Sequence, residues 1–166
     1  MPAQRLELDV TFAARRPWAP RHAEFLRWAG TALADGGTPP RSRRGASRRV
    51  RISVRVVGTA RSRTLNARYR DKDRPTNVLS FGGAGLIPDG STDLGELVIC
   101  APVVAREASR QGKSAAAHWA HLTVHGVLHL LGFDHERPAG ARKMEAREIQ
   151  ILDRLGFSNP YVWPDT

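Results

Sequence analysis

The chain has 166 residues and a formal charge of +10 at pH 7, and this length is enough for one domain with its own hydrophobic core. An apolar fraction of 41% is ordinary for a globular protein, and no run approaches the about 20 apolar residues of a membrane span. A single cysteine excludes an internal disulfide and a multi-cysteine metal cluster. The first residues contain no apolar signal core. We therefore expect a single domain over residues 1–166, located in the cytoplasm, with no membrane partner.

The charge comes from 26 basic residues, of which 23 are arginine, against 16 acidic residues. Arginine's planar fork pairs well with phosphate, so the expected partner is a polyanion, most plausibly nucleic acid. A genomic preference for arginine could explain the ratio of arginine to lysine, but it does not explain the excess of positive charge. Part of that charge lies in residues 35–49, which are rich in Gly, Pro, Ser and Arg and predict a flexible basic loop.

The hydrophobic pattern predicts alternating strands and helices along the chain. Alternation of apolar and polar residues predicts strands over 5–12 and 50–57, and short apolar or β-branched runs predict two more over 76–81 and 95–100. Residues 82–92 are expected to be an irregular connection. Apolar residues at helical spacing predict the following helices: 21–33, 59–70, 101–111, 115–131 and 139–155. We predict an α+β fold with one small mixed sheet of about four strands, whose helices pack around the largely apolar helix 115–131.

The sequence HGVLHLLGFDH at residues 125–135 is the most informative motif. His125 and His129 are four residues apart and therefore lie on one face of a helix. Gly132 can end that helix and turn the chain, which allows His135 to return toward the pair. Three imidazoles with one open position are the usual ligands of a catalytic zinc ion. The motif predicts one zinc ion per chain on His125, His129 and His135, in a metal-dependent hydrolytic enzyme.

Two further histidines, His118 and His121, fall near the same side of this helix. His121 and His129 are eight residues apart, or roughly 12 Å along the axis, so they cannot bind the same ion. The choice is between the pairs 121/125 and 125/129, and only the second adjoins the turn that returns His135. We expect His118 and His121 to support the ligands, pack the helix or face the substrate.

A second polar cluster occupies residues 69–81, just before and inside a predicted strand. Arg70 and Lys72 offer contacts to phosphate, and three residues offer hydrogen bonds near the strand: Thr76, Asn77 and Ser80. The alternative is a charged turn that leads into an edge strand, which is a common arrangement. The residues by themselves leave both interpretations open.

The run at 125–135 resembles the HGxLHLxGxDH signature of the YbeY family, which comprises single-domain bacterial metalloproteins described as endoribonucleases in ribosomal RNA maturation and ribosome quality control. Residues 65–81 resemble the second motif of this family, and residues 95–100 resemble a third. The three motifs fall in the family's order within about residues 50–161. One departure is Glu96, because the third motif usually has aspartate at this position.

This resemblance implies that His125, His129 and His135 are zinc ligands and that Arg70 contacts RNA phosphate, so that these four residues form the catalytic set. It implies a zinc-dependent endoribonuclease specific for single strands, which processes ribosomal RNA, including the 3′ end of the small-subunit RNA. The implied partners are ribosomal RNA, the small ribosomal subunit, and ribosomal or ribosome-assembly proteins.

Several alternatives remain at this level. Metalloproteases of the HExxH type carry a glutamate after the first histidine, and Gly126 at that position argues against such a peptidase. Glu96 and Asp134 are then the two candidates for the general base. Asp134 could instead orient a ligand histidine. The attacking group could be a metal-bound hydroxide or the 2′-hydroxyl of the RNA. The rival functions are a hydrolase of another substrate and a ribosome-assembly factor with a mainly structural metal.

Overall fold

The computed structural model describes residues 4–14, 16–36 and 49–162. Within these ranges the chain forms four strands and five helices in the following order: β1 (Arg5–Phe12), α1 (His22–Gly36), β2 (Arg49–Val57), α2 (Thr59–Arg70), β3 (Val78–Leu86), β4 (Thr92–Cys100), α3 (Ala101–Arg110), α4 (Ala115–Leu130) and α5 (Pro138–Arg154). No described helix combines the length and the apolar character needed to cross a membrane.

The strands form one mixed sheet in the order β1-β2-β4-β3. Strands β1, β2 and β4 run parallel, whereas β3 pairs antiparallel with β4 and lies at the edge of the sheet. This arrangement confirms the predicted α+β class and the single mixed sheet of four strands.

Both faces of the sheet are covered by apolar clusters. The larger cluster lies between the sheet and α1, α4 and α5, and it includes the fully buried Phe25, Leu97 and Leu128. The smaller cluster, which includes Leu79 and Val98, lies on the opposite face with α2 and α3. Helix α4 is buried along most of its length, which explains why its sequence is apolar on nearly all sides.

The β3–β4 hairpin is longer than the sequence predicts. Residues 82–92 were expected to be irregular, but β3 continues to Leu86 and β4 begins at Thr92, so the connection is limited to residues 87–91. The glycines of this segment conceal the strands because glycine has a low strand propensity. Here Gly83 permits a close approach of the two strands, because a Cβ on it would lie 2.4 Å from the Asp93 carbonyl oxygen.

The predicted basic loop at 35–49 is also shorter at both ends. Asp35 and Gly36 belong to α1, where Asp35 receives two hydrogen bonds from Arg154 Nη1 at 2.6 and 2.7 Å. At the other end Arg49 opens β2. The rest of the predicted loop, residues 37–48, lies outside the described residues. The assignment of residues 1–166 to one domain stays a prediction.

Candidate metal centre

Helix α4 and the turn that follows it bring the three motif histidines together. Gly132 has φ +99°, a left-handed conformation that glycine adopts readily at a helix end. The Phe133 backbone N–H donates to the Leu128 carbonyl oxygen at 3.0 Å and closes the turn. As a result the His135 ring centroid lies 4.5 Å from that of His129 and 5.6 Å from that of His125.

The ring nitrogens of these three histidines are close enough to share an ion. One nitrogen from each residue lies within 4.8 Å of the other two, and the Nε2 atoms of His125 and His129 are 3.1 Å apart. Zinc–nitrogen bonds of about 2 Å in a tetrahedron place neighbouring nitrogens about 3.3 Å apart. The donor set therefore fits a metal ion, and the exposed His135 marks the side open to solvent.

A buried carboxylate fixes the orientation of His125. The Nδ1–H group of His125 donates to Glu148 Oε1 at 2.5 Å, so the lone pair of that ring is on Nε2, the atom that faces His129. A carboxylate behind a ligand imidazole is a common support of metal sites, because it fixes the tautomer and raises the basicity of the ligand. Glu148 lies outside the motifs of the sequence and was not predicted in this role.

Glu148 lies on α5 and has no solvent exposure. It also accepts hydrogen bonds from His121 Nε2 at 3.1 Å and from the Tyr161 hydroxyl. Burial raises the pKa of Glu148, but the hydrogen bonds from His121 and His125 outweigh burial and lower its pKa to about 2. Glu148 is therefore ionised at neutral pH. The signal available in the sequence was a glutamate within the buried stripe of α5, beside Met144 and Ile151.

His118 and His121 are engaged in hydrogen bonds away from the three-histidine cluster. His118 is buried, and its Nε2 donates to Glu107 Oε1 at 2.9 Å. A second group of closely spaced ligand atoms exists at His121, His125 and Glu148, but these atoms already satisfy one another by hydrogen bonds. The geometry therefore favours the 125/129 pair over the 121/125 pair.

The histidine cluster lies in the wall of a cavity of about 770 Å³, and the same cavity is lined by Arg70. Arg70 is the last residue of α2, and its Nη2 donates to the Ser80 carbonyl oxygen at 2.9 Å. Thr76, Asn77 and Ser80 also line the cavity. The two polar motifs of the sequence thus meet at one cavity, although they are separated by more than forty residues.

The surroundings of His129 keep this residue in the form that binds metals. Burial lowers the pKa of His129, and the neighbouring His125 and His135 lower it further, to about 4. The ring is therefore neutral at pH 7, and a neutral ring can offer a lone pair to an ion.

The two candidate general bases occupy different positions. Asp134 lines the cavity, where its Oδ1 accepts the backbone N–H of Glu136 at 2.8 Å. Leu97 contacts α4, so the preceding residue, Glu96, points to the opposite face of the sheet. There Glu96 pairs with Arg55 at 2.5 Å. The structure separates Glu96 from the histidines.

The fold and this site together define a small α+β protein with a histidine cluster that could hold a metal ion. The family model described as "Endoribonuclease YbeY" matches residues 39–156. The chain belongs to the YbeY family.

Relatives named "Endoribonuclease YbeY" are similar over most of the chain. The relative from Alkalilimnicola ehrlichii is 50% identical over 164 residues, which cover 96% of this chain and 93% of that protein. The relative from Stenotrophomonas maltophilia strain K279a is 45% identical over 95% of this chain and 94% of its own. The solution structure of TM1509 from Thermotoga maritima aligns with 94% of this chain and 99% of its own, at 18% identity and a TM-score of 0.49.

Proposed function

We propose that this protein is a zinc-dependent endoribonuclease that cleaves single-stranded RNA during ribosomal RNA maturation. The observation that carries the proposal is the convergence of three imidazole nitrogens on the wall of a cavity that is also lined by Arg70. The names of its relatives support the choice of RNA as substrate, and the charge of +10 favours a polyanion.

His125, His129 and His135 would hold the zinc ion at the wall of the cavity. When bound, zinc polarises a phosphoryl oxygen or lowers the pKa of a bound water molecule. Glu148 keeps the Nδ1 atom of His125 protonated and its Nε2 atom free to act as a ligand.

Arg70 would bind the substrate phosphate. Its guanidinium is exposed and held by the Ser80 carbonyl, so it can donate to a phosphate oxygen and stabilise the negative charge that develops during cleavage. Asn77 lies in the same cavity, where Glu107 accepts two hydrogen bonds from its Nδ2 at 3.0 and 3.3 Å. These bonds orient the amide of Asn77 within the cavity wall.

We extend this proposal to the cellular role that the family resemblance implies. The protein would act in the cytoplasm as a single domain, on the 3′ end of the small-subunit ribosomal RNA and in ribosome quality control. Its partners would be the small ribosomal subunit and ribosomal or ribosome-assembly proteins.

The test compares highly purified wild-type protein with His129→Ala and with His22→Ala, a control that removes an exposed histidine remote from the cavity. We expect one zinc ion per chain and cleavage of single-stranded RNA, but not of the matching duplex, by the wild type and the control. His129→Ala should lose both properties. Equal cleavage by His129→Ala would contradict the proposal, and binding to small subunits without cleavage would instead indicate an assembly factor.

A further inference from the structure

A second groove, here called the Tyr69 groove, lies on the sheet face opposite the metal centre. It encloses about 400 Å³, and its lining includes Ser53, Arg55, Leu65, Tyr69, Phe81 and Glu96. Resting on the proposed function, we propose that the Tyr69 groove binds one unpaired RNA nucleotide next to the cleavage site, with its base stacked on the ring of Tyr69.

Tyr69 has the properties of a stacking platform. The residue is 50% exposed although it is a large aromatic residue on a helix. The rings of Tyr69 and Phe81 form a T-shaped pair with 5.2 Å between their centroids, and the Arg68 guanidinium lies 5.3 Å from the centre of the Tyr69 ring. The ring is thus held in place while much of it stays available, and proteins that bind single-stranded RNA use aromatic rings and arginine planes in this way.

The groove and the metal cavity adjoin each other at β3. Both are lined by Gly82, Gly83 and Asp93, and β3 is an edge strand of the sheet. A Cβ placed on Gly82 would find no atom within 4 Å, whereas one on Gly83 would meet the Asp93 side chain, so the edge is open at Gly82. An extended RNA strand can therefore cross β3 from one face of the sheet to the other.

Arg70 lies at this crossing. Its guanidinium donates to a carbonyl of β3 and lies 5.5 Å from the centre of the Phe81 ring. A phosphate bound by Arg70 would therefore lie between the metal centre and the Tyr69 groove. This order places the nucleotide in the groove immediately beside the phosphate that the enzyme would cleave.

The charges of the groove favour a base over a phosphate. Arg55 and Glu96 pair at 2.5 Å, and Asp93 adds a second carboxylate to the lining. Carboxylates repel phosphate, whereas a guanidinium donor beside a carboxylate acceptor matches the mixed donors and acceptors on a base edge. The groove thus offers the base both a stacking surface and hydrogen-bonding groups.

The first test uses rapid mixing to measure the affinity of full-length zinc-loaded protein for a labelled short single-stranded RNA before the RNA is cleaved. Tyr69→Ala should raise Kd about 5- to 150-fold, the range that stacking of one base contributes. Tyr69→Phe keeps the ring and should bind like wild type. The matched control is Trp18→Ala, which removes another aromatic residue that is 50% exposed but lies outside the groove.

The second test replaces one base at a time by an abasic site. In the wild type, loss of one particular base should weaken binding, and the same change should have little effect in Tyr69→Ala. The inference is overturned if all abasic positions weaken wild-type binding equally, or if Tyr69→Ala binds RNA as tightly as the wild type. In either case, RNA cleavage by the wild type would leave the proposed function intact. If the wild type neither binds nor cleaves RNA, both are overturned.

Discussion

At the scale of single residues, Arg70 differs from many other arginines of this chain. Both of its hydrogen bonds go to backbone carbonyls, those of Tyr69 and Ser80. Among the described residues it forms no salt bridge, whereas Arg55 and Arg63 are paired with carboxylates. The charge of Arg70 is therefore not neutralised by a carboxylate and can act on a substrate.

We expect Arg70→Ala to reduce the rate of RNA cleavage by on the order of 10²–10³, the loss seen when one charge-stabilising donor is removed from other enzymes. RNA affinity should fall far less, because one phosphate contact contributes little to total binding. Arg70→Lys should restore only part of the rate, since lysine lacks the bidentate fork. Single-turnover rates measure the effect, and Arg61→Ala on the exposed face of the same helix serves as control. An equal loss in both variants would contradict the assignment.

Glu148 acts through His125 and is expected to control metal affinity. Glu148→Gln keeps the shape of the side chain. It removes the negative charge of the carboxylate that accepts the hydrogen bond from His125 Nδ1–H. We expect metal affinity to fall about 10- to 100-fold, as for other residues that support metal ligands. Chelator competition measures this, with Glu145→Gln, an exposed residue of the same helix, as control. Unchanged metal affinity in Glu148→Gln would show that the carboxylate is only structural.

At the scale of elements, the position of the histidine cluster depends on how closely α4 packs on β4. Gly126 allows this packing: a Cβ at this position would lie 2.7 Å from Leu97 Cδ2, and Leu97 is fully buried. The glycine that replaces the protease glutamate in the sequence is thus required by packing between the helix and the sheet.

We expect Gly126→Ala to destabilise the fold by about 1–3 kcal/mol, the usual result of adding atoms to a packed core. The matched control is Gly30→Ala in the middle of α1, where an added Cβ meets no atom within 4 Å. That substitution should stabilise the protein by about 0.5–1 kcal/mol, because alanine favours helix over glycine. Urea unfolding of both variants measures the difference. Equal stabilisation by the two substitutions would show that the space between α4 and β4 accommodates the added methyl group.

The elements also show what sequence can and cannot predict. His125, His129 and His135 lie in one helix and the turn that follows it. The short distances between their rings can therefore be predicted from helix geometry and the position of one glycine. Glu148 is 23 residues from its partner His125, and only the docking of α5 on α4 brings the two together. The glycines of β3 conceal a strand that pairing with β4 stabilises, because local propensity does not include the partner strand.

At the scale of the whole molecule, the half-buried His129 and the buried Glu148 make stability dependent on pH. The pKa of His129 is lowered from 6.5 to about 4, so the unfolded chain binds more protons in that interval and stability falls as the pH drops through it. The pKa of Glu148 is lowered from 4.5 to about 2. The stability it contributes is present above 4.5 and lost as the pH falls below that value.

We therefore expect the metal-free protein to lose stability progressively as the pH falls below about 6.5, with a further loss below about 4.5. Thermal unfolding across this range measures the effect. His129→Ala should remove part of the loss in the upper interval and retain the loss in the lower one. A melting temperature that stays constant between pH 7 and pH 5 would contradict this account.

The burial of Glu148 has a consequence for the stability of the fold. An anion that lies out of water and is held by His121, His125 and Tyr161 stabilises a fold less than apolar packing of similar volume does. The test is one variant that combines four substitutions: His121→Leu, His125→Leu, Glu148→Leu and Tyr161→Phe. We expect this variant to have an unfolding free energy about 1–4 kcal/mol higher than the wild type and to bind no metal. Denaturant titration and metal analysis of this variant test both effects, and a less stable variant would show that the network supports the fold. A more stable variant would show that the histidine cluster lowers the stability of the fold and therefore serves a purpose other than folding.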